Sequence, residues 1–131
     1  MTTFETITYS EDGPVATITL VNPHTSMKMI KELGLVCDHI EDNSSCSIVL
    51  FKGSESHFSL GLEFGDFQPE KGLNIHGFHK WEKICVRIER LPCVTIAVLQ
   101  GQVIGGGVQL ALTCDFRLAT PSTTLSLPEV H

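Results

Sequence analysis

Two stretches near the N-terminus alternate in character. Phe4, Thr6, Thr8 and Ser10 stand against Glu5, Ile7 and Tyr9, and Val15, Thr17 and Thr19 stand against Ala16, Ile18 and Leu20. A period of two predicts strands over Phe4–Ser10 and Val15–Leu20, and Glu11-Asp12-Gly13-Pro14 between them predicts the turn of a β-hairpin. Asn22-Pro23 breaks the second strand. From there the period changes: Met29, Ile30, Leu33, Cys37 and Ile40 recur at three and four, which predicts a helix from about Met27 to Glu41, with Ser26 placed to cap it. After Asp42-Asn43-Ser44-Ser45, the continuous apolar run Ile48-Val49-Leu50-Phe51 predicts a strand buried on both faces. Ile75, Phe78, Trp81, Cys85, Ile88 and Leu91 mark one face of a second helix, stopped by Pro92, and Val94–Leu99 is a second buried strand. A short helical stretch follows through Val108, Leu110, Ala111 and Leu112 to Cys114, then strand-like Phe116–Ala119 and Thr124–Leu127. Alternation of strand, helix and buried strand predicts an α/β fold with a mostly parallel sheet.

Size and charge narrow this further. The 131 residues suit one domain, 1–131, and a chain of this length buries about two-thirds of its unfolded surface. Hydrophobic residues make up 42% and charged residues 18%, too apolar a balance for a disordered chain. Nine Lys and Arg against fifteen Asp and Glu leave a net charge of −6, which disfavours nucleic-acid binding. No apolar run approaches the ~20 residues that span a bilayer, and Met1-Thr2-Thr3-Phe4-Glu5 lacks the basic and apolar regions of a signal peptide, so the expected location is the cytoplasm, away from membranes. Cys37, Cys46, Cys85, Cys93 and Cys114 are odd in number, widely spread and set in or beside apolar runs, which predicts reduced thiols acting as small hydrophobes. Neither they nor the six histidines have the spacing of zinc ligands, so no metal is expected.

The candidate chemistry lies in segments the periodicity leaves over. Gly53 to Gly72 is longer than the ~4–6 residues of an ordinary connection and carries four glycines, as a binding loop would. Gly105-Gly106-Gly107 sits between a buried strand and a helix. Glycines there admit a ligand close to the backbone and leave the first helical amides unpaired, where the helix dipole favours negative charge. The competing explanation is a tight strand-to-helix crossing. A dinucleotide loop is poorly matched, because Leu110 stands where G-x-G-x-x-G needs glycine, and no Gly-Lys-Ser/Thr follows as a phosphate loop requires.

Three segments in order carry a resemblance: Phe58-Ser59-Leu60-Gly61-Leu62-Glu63, then Gly105-Gly106-Gly107-Val108-Gln109-Leu110 running on to Cys114-Asp115-Phe116-Arg117-Leu118-Ala119, then Ser126-Leu127-Pro128-Glu129-Val130. With the strand Gly13-Pro14-Val15-Ala16-Thr17-Ile18-Thr19-Leu20, they resemble the enoyl-CoA hydratase/isomerase family, or crotonase superfamily, over essentially the whole chain. The resemblance implies a spiral of ββα turns, and an oxyanion hole made of the Leu62 and Gly106 amides, with Leu60, Gly61 and Gly105 as flanking substrate contacts. It implies Glu129 as catalytic acid and base, with Gln109 beside it. It also implies an acyl thioester, on coenzyme A or a carrier protein, as substrate with no separate cofactor, and assembly as a trimer or a pair of trimers. Members of the family are longer, so the fold is expected to be incomplete at its C-terminus, in a fragment or a shortened relative.

Two departures bear on the reaction. Hydratases of the family have glutamate where Gln109 stands, and a neutral amide cannot take a proton at pH 7. Two-carboxylate hydration is therefore in doubt, whereas a single carboxylate suffices for double-bond migration or for protonating the enolate left by decarboxylation. Pro23-His24-Thr25-Ser26 replaces the usual Asn-Ala-Leu, which leaves the contacts near the CoA end open. Without the resemblance, Glu129 reads as a solvated carboxylate at a strand end and Gln109 as a polar residue on a helix flank. The rival functions are a catalytically inactive acyl-CoA-binding or scaffold member of the family, and a structural subunit with no ligand.

Overall fold

The computed structural model describes residues 3–54, 56–63 and 74–127. Within them β1 (Ile7–Asp12) and β2 (Val15–Leu20) form the expected antiparallel hairpin, turning at Gly13. Helix α1 (Met27–Asn43) follows, then β3 (Ile48–Gly53), α2 (Asn74–Glu89), β4 (Val94–Leu99), β5 (Gln102–Ile104), α3 (Gly106–Thr113), β6 (Phe116–Ala119) and β7 (Thr124–Ser126). One sheet has the order β1-β2-β3-β4-β6, parallel from β2 onward, and β5 pairs with β7, also parallel, in a second small sheet. None of the described helices is long and apolar enough to cross a membrane.

The sequence accounts for most of this directly. Ser26 caps α1, its hydroxyl accepting a hydrogen bond from the Met29 amide at 3.1 Å. The stripe Met29, Ile30, Leu33, Val36, Cys37 and Ile40 is buried against the strands. Register aligns Ile18 with Phe51 and Phe51 with Ala97, so one row of inward side chains crosses three strands beneath the helices. Trp81, Ile84, Cys85 and Ile88 of α2 complete the core.

Three findings go beyond or against the periodicity. β3 and β4 were expected to be buried on both faces, yet alternate residues of each stay partly open: Ile48 and Leu50 on β3, Ile96 and Val98 on β4. Both helices of full length cover the same side of the sheet, and the other side has no such layer among the described residues. β6 and β7 are exposed throughout, with Phe116 60% and Leu125 57% accessible. β5 leaves no mark in the periodicity, because three residues beside Gly101 are too short to show one.

Glu32, in the middle of the apolar face of α1, is 7% exposed. Its carboxylate accepts hydrogen bonds from the amides of Glu5 and Thr6, at 3.0 and 2.9 Å, and from the Thr6 hydroxyl. Burial works to raise its pKa, but these donors outweigh it and hold the carboxyl below the usual range. At the other end of the sheet Asp115 accepts from the Thr95 amide at 2.9 Å, while its own amide donates to the Thr95 hydroxyl. Arg117 donates to the Ala111 and Cys114 carbonyls, closing the C-terminus of α3.

Candidate active site

Parallel strands β2, β3 and β4 all end on one side of the sheet, where ligands of parallel-sheet proteins characteristically bind. The segments leaving those ends are Pro23–Thr25, Phe58–Glu63 and Gly101–Gly107. The middle one is laced between the other two. Leu60 donates to the Pro23 carbonyl, Thr25 to the Gly61 carbonyl and Glu63 to the Thr25 carbonyl, each at 2.7 Å. On the opposite side Phe58 donates to Gln100 at 2.9 Å and Ile104 to Ser59 at 3.0 Å. Phe58 and Ser59 are buried, and His57 accepts through Nδ1 from the Gln102 amide at 3.0 Å.

This lacing sets the direction of one amide. Thr25 pairs as a parallel bridge with Leu62 by bonding to Gly61 and Glu63. In such a bridge the N–H and C=O of the residue between point the other way. The Leu62 amide is therefore turned from Thr25, and no described residue accepts from it.

On that other side lies the start of α3. Gly105 adopts φ 54°, a left-handed conformation that glycine takes without strain, and its amide donates to Ser126 at 2.9 Å. Its carbonyl then accepts the Val108 and Gln109 amides, at 3.0 and 3.2 Å, which leaves the Gly106 amide with no acceptor among the described residues. Gly106 and Leu62 touch: a methyl group placed on Gly106 would meet the Leu62 side chain at 3.3 Å and Trp81 Nε1 at 3.1 Å. Gly61, at φ 94°, backs onto the same corner, its missing side chain 3.5 Å from the Gly106 nitrogen.

A cavity of about 310 Å³ opens here, lined by Leu62, Phe78, Gly105, Gly106, Val108, Gln109, Leu112 and Leu127. Leu62, Gly106, Gly105 and Gln109, chosen from sequence, thus share one wall. Gln109 is exposed and faces the cavity rather than an unrelated helix flank. Leu60 and Gly61 do not line it; they hold the lace in place. Glu129 lies outside the described residues, as do residues 55 and 64–72 of the long glycine-bearing loop, whose other half is the segment laced between Pro23–Thr25 and Gly101–Gly107. The helical spacing of Trp81 marks it as core, and it backs Gly106 from behind the cavity wall without lining the cavity. It is 1% exposed, and its indole N–H has no hydrogen-bond partner among the described residues. Only the three-dimensional meeting of α2 with Gly106 reveals it.

All five cysteines are free thiols, four of them buried. Burial pushes the pKa of Cys37 and Cys114 up to about 11 and that of Cys85 up to about 12. None of them lines the cavity, and thiols held so firmly protonated are poor nucleophiles.

Comparison with known proteins agrees with the order of the motifs. The family profile described as enoyl-CoA hydratase/isomerase matches residues 10–131. The chain is 29% identical over 130 residues to the probable enoyl-CoA hydratase of Bacillus subtilis (strain 168), covering 95% of this chain and 50% of that protein. It superimposes on the enoyl-CoA hydratase/isomerase of Xanthobacter autotrophicus Py2 with a TM-score of 0.88 at 26% identity, over 98% of this chain and 51% of that one. Pseudomonas aeruginosa DspI shares the fold, with a TM-score of 0.92 at 22% identity, covering 98% and 51% of the two chains. The chain spans about half the length of the relatives it matches. With the matching profile covering nearly all of it, this chain belongs to the enoyl-CoA hydratase/isomerase family and carries the N-terminal portion of the crotonase fold.

Proposed function

We propose that the cavity beside Gly106 binds the acyl-thioester group of a coenzyme A or carrier-protein substrate and stabilises its enolate. The observation that carries this reading is the pair of unclaimed amides, Leu62 and Gly106, on two touching segments at the ends of parallel strands. Both donate to the thioester oxygen. As Glu129 removes a proton from the α-carbon, the C–H electron pair moves into the new carbon–carbon double bond and the carbonyl π pair moves onto oxygen. The two amides and the dipole of α3 meet that charge. Each well-placed donor is worth about 3 kcal/mol at such a transition state. Glu129, now protonated, returns the proton at the α- or γ-carbon, which completes exchange or double-bond migration. Protonation of an enolate left by decarboxylation uses the same groups.

Gln109 argues against water addition as the native reaction, since an amide orients water but does not deprotonate it. The same residue supports the second reading, a member of the family that binds an acyl thioester without turning it over. Calorimetric titration with an acyl-CoA and with free CoA tests binding: tighter binding of the acylated form is expected, and equal affinity for both contradicts a thioester pocket. Turnover of a β,γ-enoyl-CoA by a chain carrying Glu129, lost in Glu129→Gln, then separates the enzyme from the inactive binder. The exposed apolar residues on β6 and β7 accord with a surface covered in a homotrimer or hexamer.

A further inference from the structure

The chain has six lysines and a net charge of −6, yet four of those lysines line one groove. It lies between α1 and α2, with a volume of about 700 Å³, and its residues include Lys28, Lys31, Lys80 and Lys83 around Ile30 and Ile84. The lysines are exposed and the two isoleucines buried, so the groove has an apolar floor and a cationic rim. Lys28 pairs with Glu5; no described acidic residue pairs with Lys31, Lys80 or Lys83.

The packing explains why the groove exists and where it stops. Gly34 admits Ile84, whose Cδ1 lies 3.5 Å from where a side chain would begin. One turn further along, Arg87 reaches Asp38 and Glu41 at 2.8 and 2.7 Å and closes the gap. Contacts that advance together along both chains make the helices parallel, and the groove starts at the N-terminus of α1, at Met27, and the middle of α2, at Lys80. That end adjoins the candidate site: Met27 lines the groove two residues from Thr25, which is bonded to Gly61 and Glu63, while Phe78 on α2 lines the thioester cavity.

We infer that this groove docks an acidic amphipathic helix of an acyl-carrier domain, which presents its thioester to the adjoining cavity. The inference rests on the thioester reading above and chooses the carrier-borne form of that substrate. A groove with an apolar floor between lysines of two helices complements a helix with an apolar stripe flanked by carboxylates. Charge steers the encounter against the acidic remainder of the surface, and the buried apolar contacts hold it.

The test measures binding of a purified acidic acyl-carrier protein, lacking its phosphopantetheine arm, to the 131-residue chain by fluorescence anisotropy. Saturable binding that weakens steeply with salt is expected. The double variant Lys31→Glu, Lys83→Glu should lose about tenfold or more in affinity, a free-energy change of roughly 1.4 kcal/mol. Lys52→Glu, at an exposed lysine on β3 outside the groove, should change it by less than about twofold. Absence of saturable binding, or equal losses in both variants, overturns the inference. So does a carrier affinity unaffected by the groove variants while these abolish self-association, which assigns the groove to a second copy, or binding to anionic lipid vesicles in preference to the carrier. An acyl-CoA titration in parallel separates the two claims: acyl-CoA binding without carrier binding leaves the thioester site intact and removes only the docking surface.

Discussion

A buried carboxylate in an apolar helix face is costly unless its oxygens are fully used, and Glu32 meets that condition with three donors from the entry to β1. Replacing it with alanine strands two backbone amides and a hydroxyl, which should cost about 2–4 kcal/mol at pH 7. The pH dependence follows from its lowered folded pKa. The stabilisation is complete above the unfolded glutamate value of ~4.3 and is lost as pH falls through the folded value, so urea-unfolding curves of wild type and Glu32→Gln should converge on acidification. A constant gap between them from pH 7 to pH 3 contradicts the assignment. Gln109 makes a second prediction at this scale. Gln109→Glu is nearly isosteric, places a carboxylate on the cavity wall, and in a chain carrying Glu129 should confer water addition to an enoyl-CoA, with one carboxyl pKa raised by its neighbour. No gain of hydration in an enoyl-CoA absorbance assay counts against Gln109 meeting the substrate.

Between elements, the three consecutive glycines divide their labour, and substitution should separate them. A methyl group on Gly107 would stand 2.7 Å from the Ser59 carbonyl oxygen, a backbone atom fixed by its bond to Ile104. Gly107→Ala should therefore destabilise the fold by about 2 kcal/mol or more. On Gly106 the nearest atoms belong to side chains, Trp81 Nε1 at 3.1 Å and Leu62 Cγ at 3.3 Å, so Gly106→Ala should fold nearly as well yet bind an acyl thioester more weakly. Denaturant titration alongside calorimetry checks both; equal stability losses contradict the division. The periodicities of two and three-to-four were legible because they belong to elements packed on one side of the sheet. Helix α1 and its Ser26 cap follow from local chemistry alone. The lace of residues 57–63 between two loops was not legible, since its partners lie up to about 45 positions away and leave no period. Leu62 and Gly106 were found through the resemblance of their motifs, whereas the direction of the Leu62 amide and the packing of Trp81 against Gly106 needed coordinates. Asp115 and Arg117, within the motif that follows the glycines, turn out to tie α3 to β4 and β6, which explains in structural terms why those residue types stand there.

Across the whole molecule, apolar side chains and apolar cover are unevenly matched. Leu112, Phe116, Leu118, Leu125 and Leu127 are 46–63% exposed and lie on α3, β6, β7 and just past β7, and β6 is an edge strand of the main sheet among the described residues. Exposed apolar edges of this kind associate. The 131-residue chain should accordingly sediment as an oligomer at micromolar concentration, with Phe116→Lys, Leu118→Lys shifting it toward monomer; a monomeric wild type contradicts that expectation. Leu112 and Leu127 also line the cavity beside Gly106, so whatever covers this surface borders the candidate site. The proposed sharing of one thioester oxygen by the Leu62 and Gly106 amides is read directly by backbone amide NMR. Titration of the 15N-labelled protein with an acyl-CoA should move the Leu62 and Gly106 proton resonances downfield together, to the same midpoint, while free CoA leaves them in place. Saturable acyl-CoA binding with either amide unmoved would contradict it.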